Sequence, residues 1–289
     1  MTDLVIGAEG FLGGALARHL AATGPAPLTT RQEPPSGASP GLVLDLGRDD
    51  VAAWPVPAGV GRAFVCAAVS SIDRCARDPE TTRRINVTHT LALSRRLSAA
   101  RVRIVYPSTS QVFDGLDPRP APTGPVNPPT EYGRQKAEVE RGILALPEAP
   151  HAVVRLAKVF GPASVLVADW TRRLRLGEEI RPFTDLVLAP ISLTHAVRVL
   201  VAVAGHPTGG IWQFSGREDL SYAEFAARLA RHLGCPARLV RPVASADAGV
   251  DLGHLPRHAT LDSTRVAQEL GIPGPGPDEV IADLLGEGE

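Results

Sequence analysis

The chain has 289 residues, 44% hydrophobic and 21% charged, enough for one large or two small globular domains with a substantial core. A formal net charge of −1 gives no electrostatic basis for binding nucleic acid or an anionic membrane. Cys66, Cys75 and Cys235 are too few and too scattered for a disulfide framework or a Cys-x-x-Cys zinc site, so no metal is expected and a reducing cytoplasm is the expected compartment.

The first apolar run, Leu4-Val5-Ile6, is too short for a signal-peptide core, and no later run approaches the roughly 18 apolar residues of a membrane span. It has strand character and ends at Gly7-Ala8-Glu9-Gly10-Phe11-Leu12-Gly13, after which Gly14 to Ala22 reads as a helix. Strand, glycine turn and helix together present backbone N–H groups to an anion such as a pyrophosphate. Gly7, Gly10, Phe11, Leu12 and Gly13 are therefore the expected contacts of a dinucleotide.

Ala26 to Thr30 is the next strand candidate, and it ends at Thr29-Thr30-Arg31 where a NAD-preferring site usually carries an acid. Arg31 pairs naturally with a 2′-phosphate, which favours NADP(H) over NAD(H). Residues 42–45 form a further strand ending at Asp45, and Asp45 and Leu46 are expected cofactor contacts, Asp45 accepting from the exocyclic amine of adenine unless it simply caps the following segment. The run 63–68 reads as a buried parallel strand whose small terminal residues Ala67 and Ala68 leave room for a cofactor.

A polar loop with Ser70 follows, then helical spacing over 79–99 that carries Asn86, expected among the cofactor contacts near the catalytic pair or else in solvent. Arg103 to Tyr106 is a strand that delivers Ser108, Thr109 and Ser110 to the ligand face, any one of them a candidate donor to a carbonyl oxygen. Six prolines between Asp114 and Pro129 exclude a regular element there. Thr130 is a plausible N-cap for the next helix.

That helix carries Tyr132 and Lys136, four residues and about one turn apart, so phenol and ammonium emerge on one face. A phenol with an ordinary pKa near 10 is a poor acid or base at neutral pH, and a fixed cation beside it is one way to lower that value. The chain has only two lysines, Lys136 and Lys158, and otherwise uses arginine. A strand at 151–157 follows, then a less regular region with helical stretches at 165–176 and 222–233. Alternating βα units to this point predict an α/β doubly wound parallel sheet, followed by a smaller C-terminal lobe.

Gly7, Gly10, Gly13, Thr109 and Tyr132-x-x-x-Lys136 together resemble the extended short-chain dehydrogenase/reductase superfamily. Within it, Ser-Thr-Ser-Gln-Val-Phe-Asp-Gly at 108–115 is similar to the S-T-D-Y-V-F-D-G signature of dTDP-4-dehydrorhamnose reductases, and 210–216 with 220–225 are similar to their C-terminal strand and helix. The resemblance covers nearly the whole chain. It implies a Rossmann-type NAD(P)-binding domain at 1–160 and, at 161–289, a mainly substrate-binding lobe interleaved with sheet-completing elements. The implied activity is NADPH-dependent reduction of a keto group on a nucleotide-linked deoxysugar, with NAD(H) as a second cofactor option and a homodimer as a possible assembly.

The resemblance assigns Thr109 to orient the carbonyl, Tyr132 to donate the proton, and Lys136 to lower the phenol's pKa and hold the nicotinamide ribose. Three departures point to a different substrate: Ser110-Gln111 replaces Asp-Tyr, Cys66 stands where Asn is usual, and Lys158 where Trp is frequent. Ser70, Ser110, Gln111 and Lys158 are accordingly the expected substrate contacts. An NAD-dependent sugar 4-epimerase and a non-catalytic NADP-binding regulatory subunit, as in the beta subunit of methionine adenosyltransferase, are the competing readings. A dehydratase is disfavoured because no Asp-Glu pair follows Thr109.

Overall fold

The computed structural model describes residues 2–22, 24, 29–30, 42–48, 50–147, 149–162, 164–250 and 253–286, with backbone only at Thr29 and Thr30. They divide into two compact units. One contains Met1–Val112, Pro125–Arg155 and Val197–Trp212, and the other Phe113–Gly124, Leu156–Ala196 and Gln213–Glu289.

The first unit begins with β1 (Thr2–Ile6), α1 (Phe11–Ala21), β2 (Thr29–Thr30), β3 (Leu42–Val43) and β4 (Val60–Val65). Next come α2 (Ile72–Arg77), α3 (Pro79–Arg83), a π-helical turn at Arg84–His89, and α4 (Thr90–Ala99). It continues with β5 (Arg103–Thr109), α5 (Glu131–Leu144) and β6 (Ala152–Leu156). Further along are β7 (Val159–Phe160), α6 (Val165–Arg175), β8 (Val187–Leu188), β9 (Ile191–Ser192), α7 (Leu193–Gly205) and β10 (Gly210–Phe214). The chain closes with β11 (Leu220–Ser221), α8 (Tyr222–His232), α9 (Thr264–Leu270) and α10 (Pro277–Leu285).

The main sheet is parallel and five-stranded, in the order β1-β4-β5-β6-β10. Leu4 and Ile6, Ala63 and Val65, and Ile104 and Tyr106 are two residues apart on their strands and share one core with Val87, Leu97 and Val139. Their neighbours Val5, Phe64 and Val105 are equally buried, as a sheet covered on both faces requires. This is the Rossmann-type doubly wound fold expected from the alternating pattern. Ile6 lies opposite Val65, and Cys66 N donates to Ile6 O at 2.9 Å, so β1 and β4 end side by side.

The boundaries differ from the sequence reading in instructive places. The first helix starts at Phe11, inside the glycine turn, because backbone bonds from Gly10 N to Gly7 O and Gly14 N to Gly10 O close the turn without side chains. β4 stops at Val65, leaving Ala67 and Ala68 in the following loop. The single helix expected over 79–99 is broken by the π turn that contains Asn86.

The second unit has its own core, in which Phe160 stacks on Phe225 at 5.3 Å and Trp170 meets Tyr222 edge-on at 6.3 Å. α8 starts on a capping box between Ser221 and Glu224. Among the described residues no helix is long and apolar enough to cross a membrane.

Candidate active site

The glycine turn is shaped by close backbone approach. Gly7 has φ +85°, a left-handed conformation, and a Cβ there would sit 2.7 Å from Ala67 N. A Cβ on Gly13 would overlap the Gly7 carbonyl. These glycines let the end of β1, the first turn of α1 and the loop after β4 converge. Gly10 caps α1 without a side chain, and the first turn carries no acid. Phe11 is 46% exposed and Leu12 half-buried. A helix N-terminus with this lining fits the pyrophosphate of a dinucleotide on charge and on space.

Arg31 lies outside the described residues. Asp45 Oδ1 accepts from Gly47 N at 2.7 Å, an Asx turn that supports the capping alternative, while the Leu46 side chain packs into the core. Ala67 is half-buried, and Ala68 and Ser70 are exposed in the loop beside Gly7. Asn86 is buried rather than solvated. Its Oδ1 accepts from Val69 N at 2.7 Å, and its Nδ2 donates to Val69 O at 2.9 Å and to Gln135 Oε1 at 2.8 Å. Both amide hydrogens are thus committed to protein partners. Asn86 acts on the site by fixing the loop that carries Ser70 and by tying it to α5.

α5 starts where the sequence indicates, with Thr130 Oγ1 accepting from Gly133 N at 3.1 Å. Lys136 is 4% exposed and donates from Nζ to Pro107 O at 2.6 Å, with Nζ 4.0 Å from the Tyr106 ring centre. Pro107 is two residues before Thr109 on β5, so this bond fixes the lysine against the strand that delivers the hydroxyl. Thr109 Oγ1 is half-buried and accepts from Gln111 N at 3.2 Å. Of the three neighbouring hydroxyls, Ser108 is turned inward and donates to Glu140.

Burial pulls the Lys136 ammonium down to about 8, opposed chiefly by the Glu140 carboxylate. Burial also pushes the Tyr132 phenol up to about 12. The sequence reading had Lys136 lowering this phenol. In the structure desolvation dominates, and the ammonium is directed at the Pro107 carbonyl and the Tyr106 ring. Tyr132 therefore holds its proton throughout the neutral range. Burial likewise pushes the Cys66 thiol up to about 12, which removes it as a nucleophile.

Gly133 is a site residue the sequence reading missed. A Cβ there would overlap Gln111 O and lie 2.9 Å from Pro128 Cβ, so its absence lets α5 rest on the short 3-10 turn Ser110–Val112. The signal was available, since a glycine in the first turn of an otherwise strong helix lowers helix propensity and calls for a packing reason. Gly133→Ala should lower stability by about 1–3 kcal/mol and depress turnover more than cofactor affinity, measured by urea unfolding and steady-state kinetics. Wild-type stability would show that the contact relaxes at no cost.

Ser110 and Gln111 are half-buried on that same turn, next to Thr109. Lys158 belongs to the second unit. It is exposed, with its ammonium 5.7 Å from the Phe160 ring centre, while its backbone carbonyl accepts from Ile191 N.

An open parallel sheet, a glycine turn at the end of its first strand and a Tyr-x-x-x-Lys helix packed beside β5 define a Rossmann-type protein of the short-chain dehydrogenase/reductase class. More narrowly, the chain belongs to the RmlD substrate binding domain family, which matches residues 1–287. It is 26% identical to a probable low-salt glycan biosynthesis reductase of Haloferax volcanii, covering 98% of this chain and 97% of that relative. Identity to the dTDP-4-dehydrorhamnose reductase of Mycolicibacterium smegmatis is 29%, covering 92% of this chain and 79% of the relative. The fold matches dTDP-4-dehydrorhamnose reductase from Bacillus anthracis in complex with NADP, with a TM-score of 0.83 and 19% identity over 99% of both chains.

Proposed function

We propose that this protein is an NADPH-dependent ketoreductase acting on a nucleotide-linked keto sugar in the cytoplasm. The observation that carries the reading is the fixing of Lys136 to Pro107 O, which ties the Tyr132 helix to the strand ending in Thr109. Bound dinucleotide would supply hydride, with its pyrophosphate held by Gly7, Gly10, Phe11, Leu12 and Gly13. Arg31 favours the 2′-phosphate, with NAD(H) as the weaker choice.

The chain's own part is positional and protolytic. Thr109 Oγ1 donates to the substrate carbonyl oxygen and holds it for Tyr132. As negative charge develops on that oxygen, the Tyr132 hydroxyl gives up its proton, and the Lys136 ammonium stabilises the phenolate left behind. The ammonium is also the group that would hold the nicotinamide ribose. Ser70, Ser110 and Gln111 are the side chains we assign to the sugar nucleotide.

Incubation with NADPH and a panel of nucleotide-linked 4-keto sugars, followed by nicotinamide absorbance, tests the reading. Oxidation of NADPH supports it, and slower oxidation of NADH supports the cofactor preference. Epimerisation without net cofactor consumption would replace it with the epimerase alternative, and no reaction with any sugar would favour a regulatory role. Activity should also fall as pH rises through about 8, because Lys136 loses its charge there while Tyr132 remains protonated. A profile flat to pH 10 would remove the Lys136 charge from the mechanism.

A further inference from the structure

The chemistry assigned to Thr109, Tyr132 and Lys136 leaves one buried group beside them without a role. Glu140 and Arg155 form an ion pair in which both side chains are 3% exposed. Arg155 Nε donates to both carboxylate oxygens at 3.1 Å, and Nη2 donates to Oε2 at 2.8 Å. The Ser108 hydroxyl donates to Oε1 of the same carboxylate. One carboxylate therefore joins β5 at the residue before Thr109, α5 one turn after Lys136, and β6 through Arg155.

A pair buried this deeply is poorly explained as a stabiliser. Removing two charges from water costs several kcal/mol per ion, and apolar replacements of similar volume are often neutral or better. Its value here lies in what it holds. We propose that Glu140 is a positioning residue of the reductive site, its carboxylate holding the Ser108–Thr109 strand end through the Ser108 hydroxyl and setting the charge environment of Lys136 one turn earlier on α5. The inference rests on the ketoreductase reading for its catalytic consequence and on geometry for the rest.

The groups facing Lys136 can be named element by element. α5 contributes Glu140, the loop after β4 contributes Cys66, and β5 contributes the Tyr106 ring and the Pro107 carbonyl. Cys66 and Tyr132 are neutral near pH 8, because burial pushes both up to about 12. Arg155, from β6, is engaged with the Glu140 carboxylate. Glu140 is thus the carboxylate that opposes the desolvation of Lys136.

The test variant is E140Q/R155M, which removes both charges and leaves no unpaired guanidinium buried. The chain has two lysines, so protein labelled with 13C,15N-lysine gives two side-chain Nζ signals, assigned by K158M. The expected result is a Lys136 titration displaced downward by about one pH unit or more, a roughly tenfold change in its proton affinity. The alkaline limb of kcat should move with it while KM for NADPH stays within about twofold. An unchanged Lys136 titration in a cooperatively folded variant would overturn the proposal.

S108A and S108T cover the case in which the double variant does not fold. Loss of the hydroxyl should lower kcat by roughly tenfold with KM for NADPH unchanged, and Thr should restore it. Wild-type kcat in S108A would overturn the grip on Thr109. If the wild-type protein reduces no keto sugar, the ketoreductase reading fails, while the lysine titration still decides whether Glu140 controls Lys136.

Discussion

Tyr132→Phe should lower turnover by roughly 10²-fold or more while leaving NADPH affinity within about twofold. The substitution removes one oxygen from a side chain whose ring lies in a largely desolvated site, so packing changes little and the proton donor is lost. Burial pushes this phenol up to about 12, and the proton it holds is available at every pH at which the protein is expected to work. Single-turnover measurements with a keto sugar, beside a fluorescence titration with NADPH, separate the two effects. Undiminished turnover would remove Tyr132 from the reaction and leave a water to supply the proton.

The second large effect is expected at the cofactor turn. Gly13→Val places a branched side chain against the Gly7 carbonyl and within reach of Cys66 Cβ, which lies 3.3 Å from the position of even a single added carbon. Backbone cannot yield there without separating β1 from α1, so NADPH affinity should fall by at least ~10²-fold, about 2.7 kcal/mol. Overpacking adds about 1–3 kcal/mol of lost stability, read as a lower urea midpoint. Gly205→Ala is the matched control, because nothing lies within 4 Å of an added Cβ at that helical position. Unaltered NADPH binding by a folded Gly13→Val protein would show that the dinucleotide does not use this turn.

The alternation of buried strands and helices in the first half of the chain was legible because parallel strands covered on both faces read as short continuous apolar runs. The second half was harder. α7, with the sequence Leu-Thr-His-Ala-Val-Arg-Val-Leu-Val-Ala-Val-Ala-Gly, carries four valines and has no acid in its first turn, so its residues favour a strand as readily as a helix. Burial of Val199, Leu200 and Val203 settles it as a helix. The π turn at Arg84–His89 was also invisible. It inserts a residue into an otherwise regular pattern, and its purpose, aiming Asn86 at Val69 and Gln135, depends on segments 17 and 49 residues away.

The sequence by itself determined the local motifs of this protein. Its glycine spacing, the Thr130 cap, and the four-residue offset of Tyr132 and Lys136 follow from bonds and angles within a single turn of chain. Only the tertiary structure decided how those motifs are charged and held. Whether a phenol rises or falls in pKa depends on how much water packing removes, and that quantity is set by strands far away in sequence. The same holds for Glu140, which sits one turn after Lys136 in plain view. Its carboxylate acquires a function only when folding brings Ser108 and Arg155 to it from two different strands.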